Sequence, residues 1–312
     1  MANPFWIQKS DMGPSRRTLP AMTYDAARKK TLLFGGFIPN GKVADDTWQW
    51  DGTDWTQVAD TGPVARGGAA LAFDVNRERV VLFGGNDLQF FTYRGDTWEW
   101  DGEFWTQVSD TGPVARTGHQ MVYDPDRKRV VLFGGVTIQF PNGFPEWVNS
   151  GETWEWDGNA WSQQDDIGPM PREGHVMAYD TERHCVVLFG GSSRQNGITI
   201  QGDTWQRANG IWKKAVDFGA DPCELAAMAF DGRRIVLFGG YAQDPSSAIR
   251  FSSGATWEWD GKLWTQKQDI GPLARDAHAM AFDFDRQHLV LFGGSVSGSG
   301  GMFGDTWELP RI

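Results

Sequence analysis

The chain holds only two cysteines, Cys185 and Cys223, and only five histidines and five tyrosines in 312 residues. Two thiols can close one bridge at most, which excludes a disulfide-stapled framework. No apolar run approaches the ~20 residues of a membrane-spanning helix. The N-terminal stretch MANPFWIQKSD lacks the charged start and apolar h-region of a signal peptide, so a cytoplasmic protein is expected. Basic residues are outnumbered as well. Twenty-nine Lys and Arg against 40 Asp and Glu leave a formal net charge of -11, which argues against nucleic acid or an anionic membrane as the partner. No glycine loop is left over to cradle phosphate, because every Gly-Gly pair ends an apolar run.

Tryptophan, by contrast, is abundant. There are seventeen, and a repeat accounts for all but one. Its cleanest copy reads RTGHQMVYDPDRKRVVLFGG from Arg116, followed by a variable insert and then ETWEWDGNAW. The Phe-Gly-Gly signature starts at Phe34, Phe83, Phe133, Phe189, Phe238 and Phe292, at intervals of 49, 50, 56, 49 and 54 residues. Length alone would suggest about two domains. Units this short cannot bury a core alone and must stack on one another, so the repeat overrides that prior. Trp147 is the tryptophan outside the frame, and therefore the first to test for a role beyond structure.

Each copy reads as four strands. Gly118 to Tyr123 is a short mixed run, and Asp124-Pro125-Asp126 supplies turn chemistry. Val130 to Phe133 is continuously apolar and β-branched, as suits a strand buried on both faces. Gly134-Gly135 ends it, where the backbone needs φ > 0 or the close approach of a neighbour. Thr153-Trp154-Glu155-Trp156 alternates with period two. Asp157-Gly158 then turns the chain into a fourth strand at Trp161. Four antiparallel strands per ~50 residues make one propeller blade.

Six blades are expected, at approximately 17–58, 66–108, 116–164, 172–215, 223–267 and 275–309, in one domain spanning 1–312. The last copy stops at Pro310, short of a fourth strand. Phe5-Trp6-Ile7-Gln8 with Gly13-Pro14 matches Phe104-Trp105-Thr106-Gln107 with Gly112-Pro113 in spacing. A strand over 4–9 is therefore expected to complete the last blade and leave no open edge.

These residues resemble the kelch repeat, with an Arg opening the first strand, paired glycines ending the second and a Trp in the fourth. The likeness covers the whole chain and extends to bacterial kelch proteins compared with the central domain of galactose oxidase. It implies an all-β six-bladed propeller. The functions it implies are diverse, from protein-binding platforms to sugar-processing and cofactor-poor isomerising enzymes. Two activities lack their residues here. None of the five histidines has the upstream Glu and Asp of iron-dependent specifier proteins. Tyr24, Tyr123 and Tyr179 hold a structural repeat position, which leaves only Tyr93 and Tyr241 for a copper-radical site. No cofactor and no metal are expected.

Strand parity places the variable inserts and the Gly-Pro junctions on one face. Variable loops on a rigid frame are where binding usually sits. The inserts carry Phe90, Phe91, Tyr93, Phe140, Phe144, Trp147 and Phe251, enough aromatic surface to line a pocket. Packing of the loops on one another is the alternative.

Arg17, Arg66, Arg116, Arg172 and Arg275 share one repeat position near the axis. They would form either a cationic funnel for an anionic ligand or salt bridges to the acids opening the third strands, Asp46, Asp96, Glu152, Asp203 and Asp305. Blade five favours the salt bridge, since Cys223 replaces the Arg and Ala255 the acid together. The same departure from symmetry offers Cys223 as a nucleophile and Glu224 as a general acid or base. His119, His175 and His278 share another repeat position and would either converge on the axis or bond to the neighbouring blade.

Three functions follow from these residues. The first is a binding module, expected to be a monomer, that takes a small organic molecule or peptide on the insert face. The second is a cofactor-independent isomerase, epimerase or cyclase that works by acid–base catalysis in the same pocket. The third is a protein-interaction scaffold.

Overall fold

A computed structural model describes residues 5–87, 92–164, 167–195, 197–244, 249–268, 270–297 and 301–311. Among them there is no α-helix, and hence none long and apolar enough to cross a membrane. The strands build six four-stranded antiparallel sheets. Sheet one holds Ala21–Asp25, Lys30–Ile38, Lys42–Trp50 and Trp55–Ala59. Sheet two holds Ala70–Asp74, Arg79–Phe83, Thr97–Trp100 and Trp105–Ser109. Sheet three holds Gln120–Asp124, Arg129–Phe133, Thr153–Trp156 and Trp161–Gln163, and sheet four Val176–Asp180, Cys185–Phe189, Thr204–Ala208 and Ile211–Val216. Sheet five holds Ala227–Phe230, Ile235–Phe238, Thr256–Trp259 and Trp264–Gln268.

Sheet six takes Ala279–Asp283, His288–Phe292 and Thr306–Pro310 from the end of the chain and Ile7–Ser10 from its beginning. Ile7 pairs with Glu308 and Gln8 with Trp307, so the N-terminal strand completes the last sheet as its sequence match predicts. The second strands, such as Val130–Phe133, are wholly buried, because both of their faces meet a neighbouring sheet.

Three sets of bonds join each sheet to the next, and each set closes on itself. In the first, the indole N–H of the tryptophan at the start of each fourth strand, or just before it, donates to the threonine of the third-strand Thr-Trp pair in the preceding sheet. Trp105 reaches Thr47, Trp161 Thr97, Trp212 Thr153, Trp264 Thr204, Trp6 Thr256 and Trp55 Thr306, at 2.8–3.1 Å. In the second, the second glycine of each pair donates its N–H to the carbonyl of the residue at the arginine position of the next sheet. Gly36 to Arg66 and Gly294 to Arg17 are two of these six bonds.

The glycines are required by this approach. A Cβ on Gly35 would stand 2.4 Å from the Arg66 carbonyl oxygen, and one on Gly134 would stand 2.7 Å from that of Arg172. Both glycines also hold φ near +70°, where a side chain is strained.

The third set encircles the axis. Leu19, Gly68, Gly118, Gly174, Leu225 and Ala277 occupy equivalent positions, all at φ between 50° and 67°. Each donates its N–H to the carbonyl of the preceding member, and Leu19 donates to Ala277, closing a ring of six bonds of 2.7–3.3 Å.

The inserts differ from the irregular loops expected. Sheet one extends its own hairpin through Ile38 and Lys42, and the others form small sheets of their own, such as Val136–Gln139 with Glu146–Asn149. Bridges such as Thr117 to Val136 tie them to the segment after each arginine, so every insert stands at the axial mouth on one face.

Trp105→Ala removes a buried indole and its bond to Thr47, and is expected to destabilise the protein by ~3–5 kcal/mol in chemical denaturation. Deleting residues 5–10 should leave Thr306–Pro310 as an open edge and produce aggregation in light scattering. A soluble truncation with unchanged melting would refute that role for the strand.

Candidate functional site

Each of the five arginines is buried and paired within its own sheet. Arg17 meets Asp46 at 2.6 and 2.9 Å, and Arg66, Arg172 and Arg275 form the same forked pair with Asp96, Asp203 and Asp305. Arg116 bonds Glu152 at 2.5 Å and the Ser150 hydroxyl at 3.2 Å. A further N–H of each guanidinium donates to the carbonyl of the first glycine of its pair. The acids also accept from the third-strand indoles of Trp48, Trp98, Trp154, Trp205 and Trp307. Burial would raise the Asp46 carboxyl, but the bonds and charge of Arg17 with the Trp48 bond hold it below the usual range. The arginines thus act as internal braces, and Arg275 lies 4.1 Å over the Phe303 ring besides.

Sheet five has no such brace. Cys223 is buried among Ala226, Ala242 and other apolar groups, and burial pushes its thiol up to about 12. A nucleophile needs the thiolate, which is negligible here at neutral pH.

His119, His175 and His278 enter three different inter-sheet gaps, packed edge-on against Phe83, Phe133 and Phe238 of the preceding sheets. His119 Nε2 lies 3.2 Å from the Phe83 carbonyl, which can only accept, so this nitrogen carries the proton. His175 and His278 face the corresponding carbonyls without closing a full hydrogen bond. Burial, then the charge of the nearby arginine, pushes His119 and His278 down to about 3 and His175 in the same direction. All three are neutral at pH 7. Among the described residues no group of three or more His, Cys, Asp or Glu is placed to hold a metal.

The residues that follow the arginine position stand at the mouth. They are Thr18, Gly67, Thr117, Glu173, Glu224 and Asp276, so acids occupy three consecutive sheets. Ring glycines make room for them: a Cβ on Gly118 would lie 3.3 Å from that of Glu173, and one on Gly174 3.4 Å from that of Glu224. Glu173 Oε1 accepts from Arg194 Nε at 2.5 Å and Asn149 Nδ2 at 3.3 Å. Glu224 Oε2 accepts from the Ser192 hydroxyl at 2.5 Å. Burial raises the Glu224 carboxyl, with the Glu173 charge adding to the effect and the Ser192 bond opposing it. Asp276 accepts from the hydroxyls of Ser252, Ser295 and Ser297.

Two of the expected aromatics join this cluster. Tyr93 lies beside Trp147, and its hydroxyl is raised by burial and by the charge of Glu173, with the Trp147 indole opposing them. Trp147 remains 41% exposed on its hairpin. Phe140 and Phe144, at 64% and 77% exposure, stand at the tip of the same hairpin. Phe251 lies on the insert of sheet five, paired with Ala242. Phe90 and Phe91 lie outside the described residues.

Sequence reasoning singled out Glu224 but missed Glu173, Asp276, Asn149 and Arg194. The first two were visible as acids at one position in three successive repeats. Nothing in the repeat marks Asn149 or Arg194.

A family profile described as Attractin/LZTR1 beta-propeller matches residues 5–208. The solved structure described as "Structure of YjhT" is similar with a TM-score of 0.76 and 14% identity, over 94% of this chain and 95% of that one. At that identity the likeness speaks for the fold, a kelch-type β-propeller. No curated protein matches the sequence.

Two predictions concern this frame. Cys223→Arg together with Ala255→Asp should rebuild the missing brace, so the double variant is expected to be more stable than the sum of the single changes. Additive single effects in a double-mutant cycle would refute it. His119 and His278 bind a proton in the unfolded chain near pH 6.5 but in the folded one only near 3, and His175 shifts in the same direction. Stability should therefore decrease as pH drops from about 6.5 towards about 3, by about 1.4 kcal/mol per unit for each of His119 and His278. His119→Gln should flatten this slope in urea titrations at several pH values.

Proposed function

Because the chain belongs to the Attractin/LZTR1 β-propeller family, we propose that it is a binding module whose insert face takes a small organic molecule or a peptide. One observation carries the reading: side chains from three consecutive sheets meet at one place on that face. Tyr93 comes from the insert of sheet two, Trp147 and Asn149 from that of sheet three, and Glu173 and Arg194 from sheet four. The combination offers an aromatic surface, a carboxylate and a guanidinium side by side. Ligand sites take this form, with apolar area for affinity and a few fixed polar groups for orientation.

The networks behind these groups hold them in place before a ligand arrives. The Arg194 backbone N–H donates to Asn149 Oδ1 at 2.7 Å, locking the inserts of sheets three and four together. Little ordering cost is then left for binding. A groove between Tyr93, Arg94 and Val114 continues outward from this cluster and gives a peptide room to extend.

One observation favours catalysis in the same place. Glu224 is buried enough to have its carboxyl raised, the direction that suits a general acid near neutrality. Turnover of a bound ligand is therefore the second reading.

The test is a thermal-shift and tryptophan-fluorescence screen of metabolite and peptide mixtures, with Trp147→Ala beside the wild type. A saturable ligand is expected whose affinity falls at least tenfold in the variant, as for loss of one aromatic contact surface. A ligand that binds both proteins equally, or a blank screen, would overturn the reading. A blank screen with capture of a protein partner would favour a scaffold instead.

A further inference from the structure

Most of the large apolar side chains left in solvent stand on the insert face. The Gly-Pro junctions supply many of them. Each junction runs across the tryptophan of the next fourth strand: a Cβ on Gly112 would stand 2.5 Å from Trp161, and one on Gly271 2.5 Å from Trp6. The proline is buried in this crossing, while the residue after it is exposed. Val64, Val114, Met170 and Leu273 hold that place, at 49–68% exposure. Apolar surface repeated in this way marks an interaction face.

Between sheets two and three this surface deepens into an open groove of ≈ 510 Å³. Tyr93, Pro113, Val114 and Ala115 give it apolar walls, and Asp96 and Asp110 line it as well. Tyr93 carries the groove on to Trp147 and its hairpin. A groove of this size takes the side chains of a short stretch of polypeptide.

Charge decides the character of that polypeptide. Outside the five braces, the described cations of the insert face are Arg16, Lys42, Arg94, Arg194 and Arg250, against more than twice as many carboxylates. On the opposite face the hairpin cations nearly balance the hairpin acids. The net charge of -11 is therefore carried mainly by the insert face. At the groove itself Arg94 is engaged by Asp87 at 3.3 Å. Asp110 and Glu146 are exposed, and their carboxylates form no hydrogen bond or ion pair among the described residues. A second copy of the chain would bring charge of the same sign and is repelled. A cationic segment is attracted, and the aliphatic stems of its Lys and Arg suit the apolar walls.

We propose that the groove docks a basic segment of a partner protein, in which an apolar residue lies between Lys or Arg residues. The apolar side chain sits on Val114 beside Tyr93. The flanking cations meet Asp110 in the groove and the Trp147 ring beyond it. This rests on the reading of the insert face as the binding face, and it selects a peptide over a small molecule there.

The experiment is an octapeptide array, followed by fluorescence anisotropy on the best binder. Octamers with Leu or Phe set among Lys and Arg are compared with octamers that carry Glu for the cations and with octamers that carry Ser for the apolar residues. Binding is expected for the first set alone, and it should weaken as NaCl rises from about 0.1 to about 0.5 M. Asp110→Lys and Val114→Ser should each weaken the best octamer at least tenfold. Glu103→Lys makes the same charge change in the same sheet on the opposite face and should alter the affinity little. All three positions are exposed, so the variants should melt with the wild type.

Equal binding of the Glu or the Ser octamers would overturn the proposal, as would equal losses in Glu103→Lys and Asp110→Lys. Dimerisation of the wild type that Val114→Ser abolishes would also overturn it, by giving the groove to a second copy. So would an array with no octamer bound. In that case a Trp147-dependent metabolite would leave the binding face standing, and the absence of both would remove that reading too.

Discussion

The structure depends on closure. Six peptide groups around the axis donate to one another in a cycle, and the cycle exists only if the sixth sheet meets the first. Three of its members, Leu19, Leu225 and Ala277, hold a left-handed conformation that costs a non-glycine residue of order 1–3 kcal/mol. That conformation persists because the bonds on either side hold it. The Trp-to-Thr and Gly-to-carbonyl cycles rest on the same condition, which gives the N-terminal strand its importance. Trp6 contributes one sixth of the indole cycle, and Ile7–Ser10 covers what would be an open edge.

A frame closed this way frees its insert face from structural duty. The arginines, for which the sequence offered a ligand funnel but favoured a salt bridge, serve the frame, each gripping an acid that is held in turn by a tryptophan. Buried ion pairs are weak evidence for stability, but removal of one partner leaves an unpaired charge. Joint replacement by Cys223 and Ala255 in sheet five avoids that penalty, which explains why both positions changed together. The acids one residue further on face the mouth and are free of that duty. One face of the ring therefore carries a one-sided acidic arc beside the aromatic pair Tyr93 and Trp147.

Most of the fold was legible from one repeat, because strand period, turn chemistry and Gly-Gly breaks are local properties of the chain. The match of Phe5-Trp6-Ile7-Gln8 to Phe104-Trp105-Thr106-Gln107 even located the closing strand. The site was legible only in part. Trp147 stood out by falling outside the frame, and Glu224 by sitting beside a break in symmetry. Arg194 and Asn149 lie in inserts that share no pattern, so no comparison between copies could place them. The inserts' own small sheets were hidden for the same reason.

The sequence by itself determined the repeat, the four-strand unit and the way the ends meet, and it favoured the pairing of each arginine with its acid. These follow from residue patterns that recur within one unit or align between units. Only the tertiary structure decided which side chains of different units share a space. Rotation about a common axis brings Tyr93 of one insert to Trp147 of the next, and Asn149 of that insert to Glu173 and Arg194 of the sheet after it. Such meetings depend on the radius and closure of the ring, quantities that no single repeat encodes.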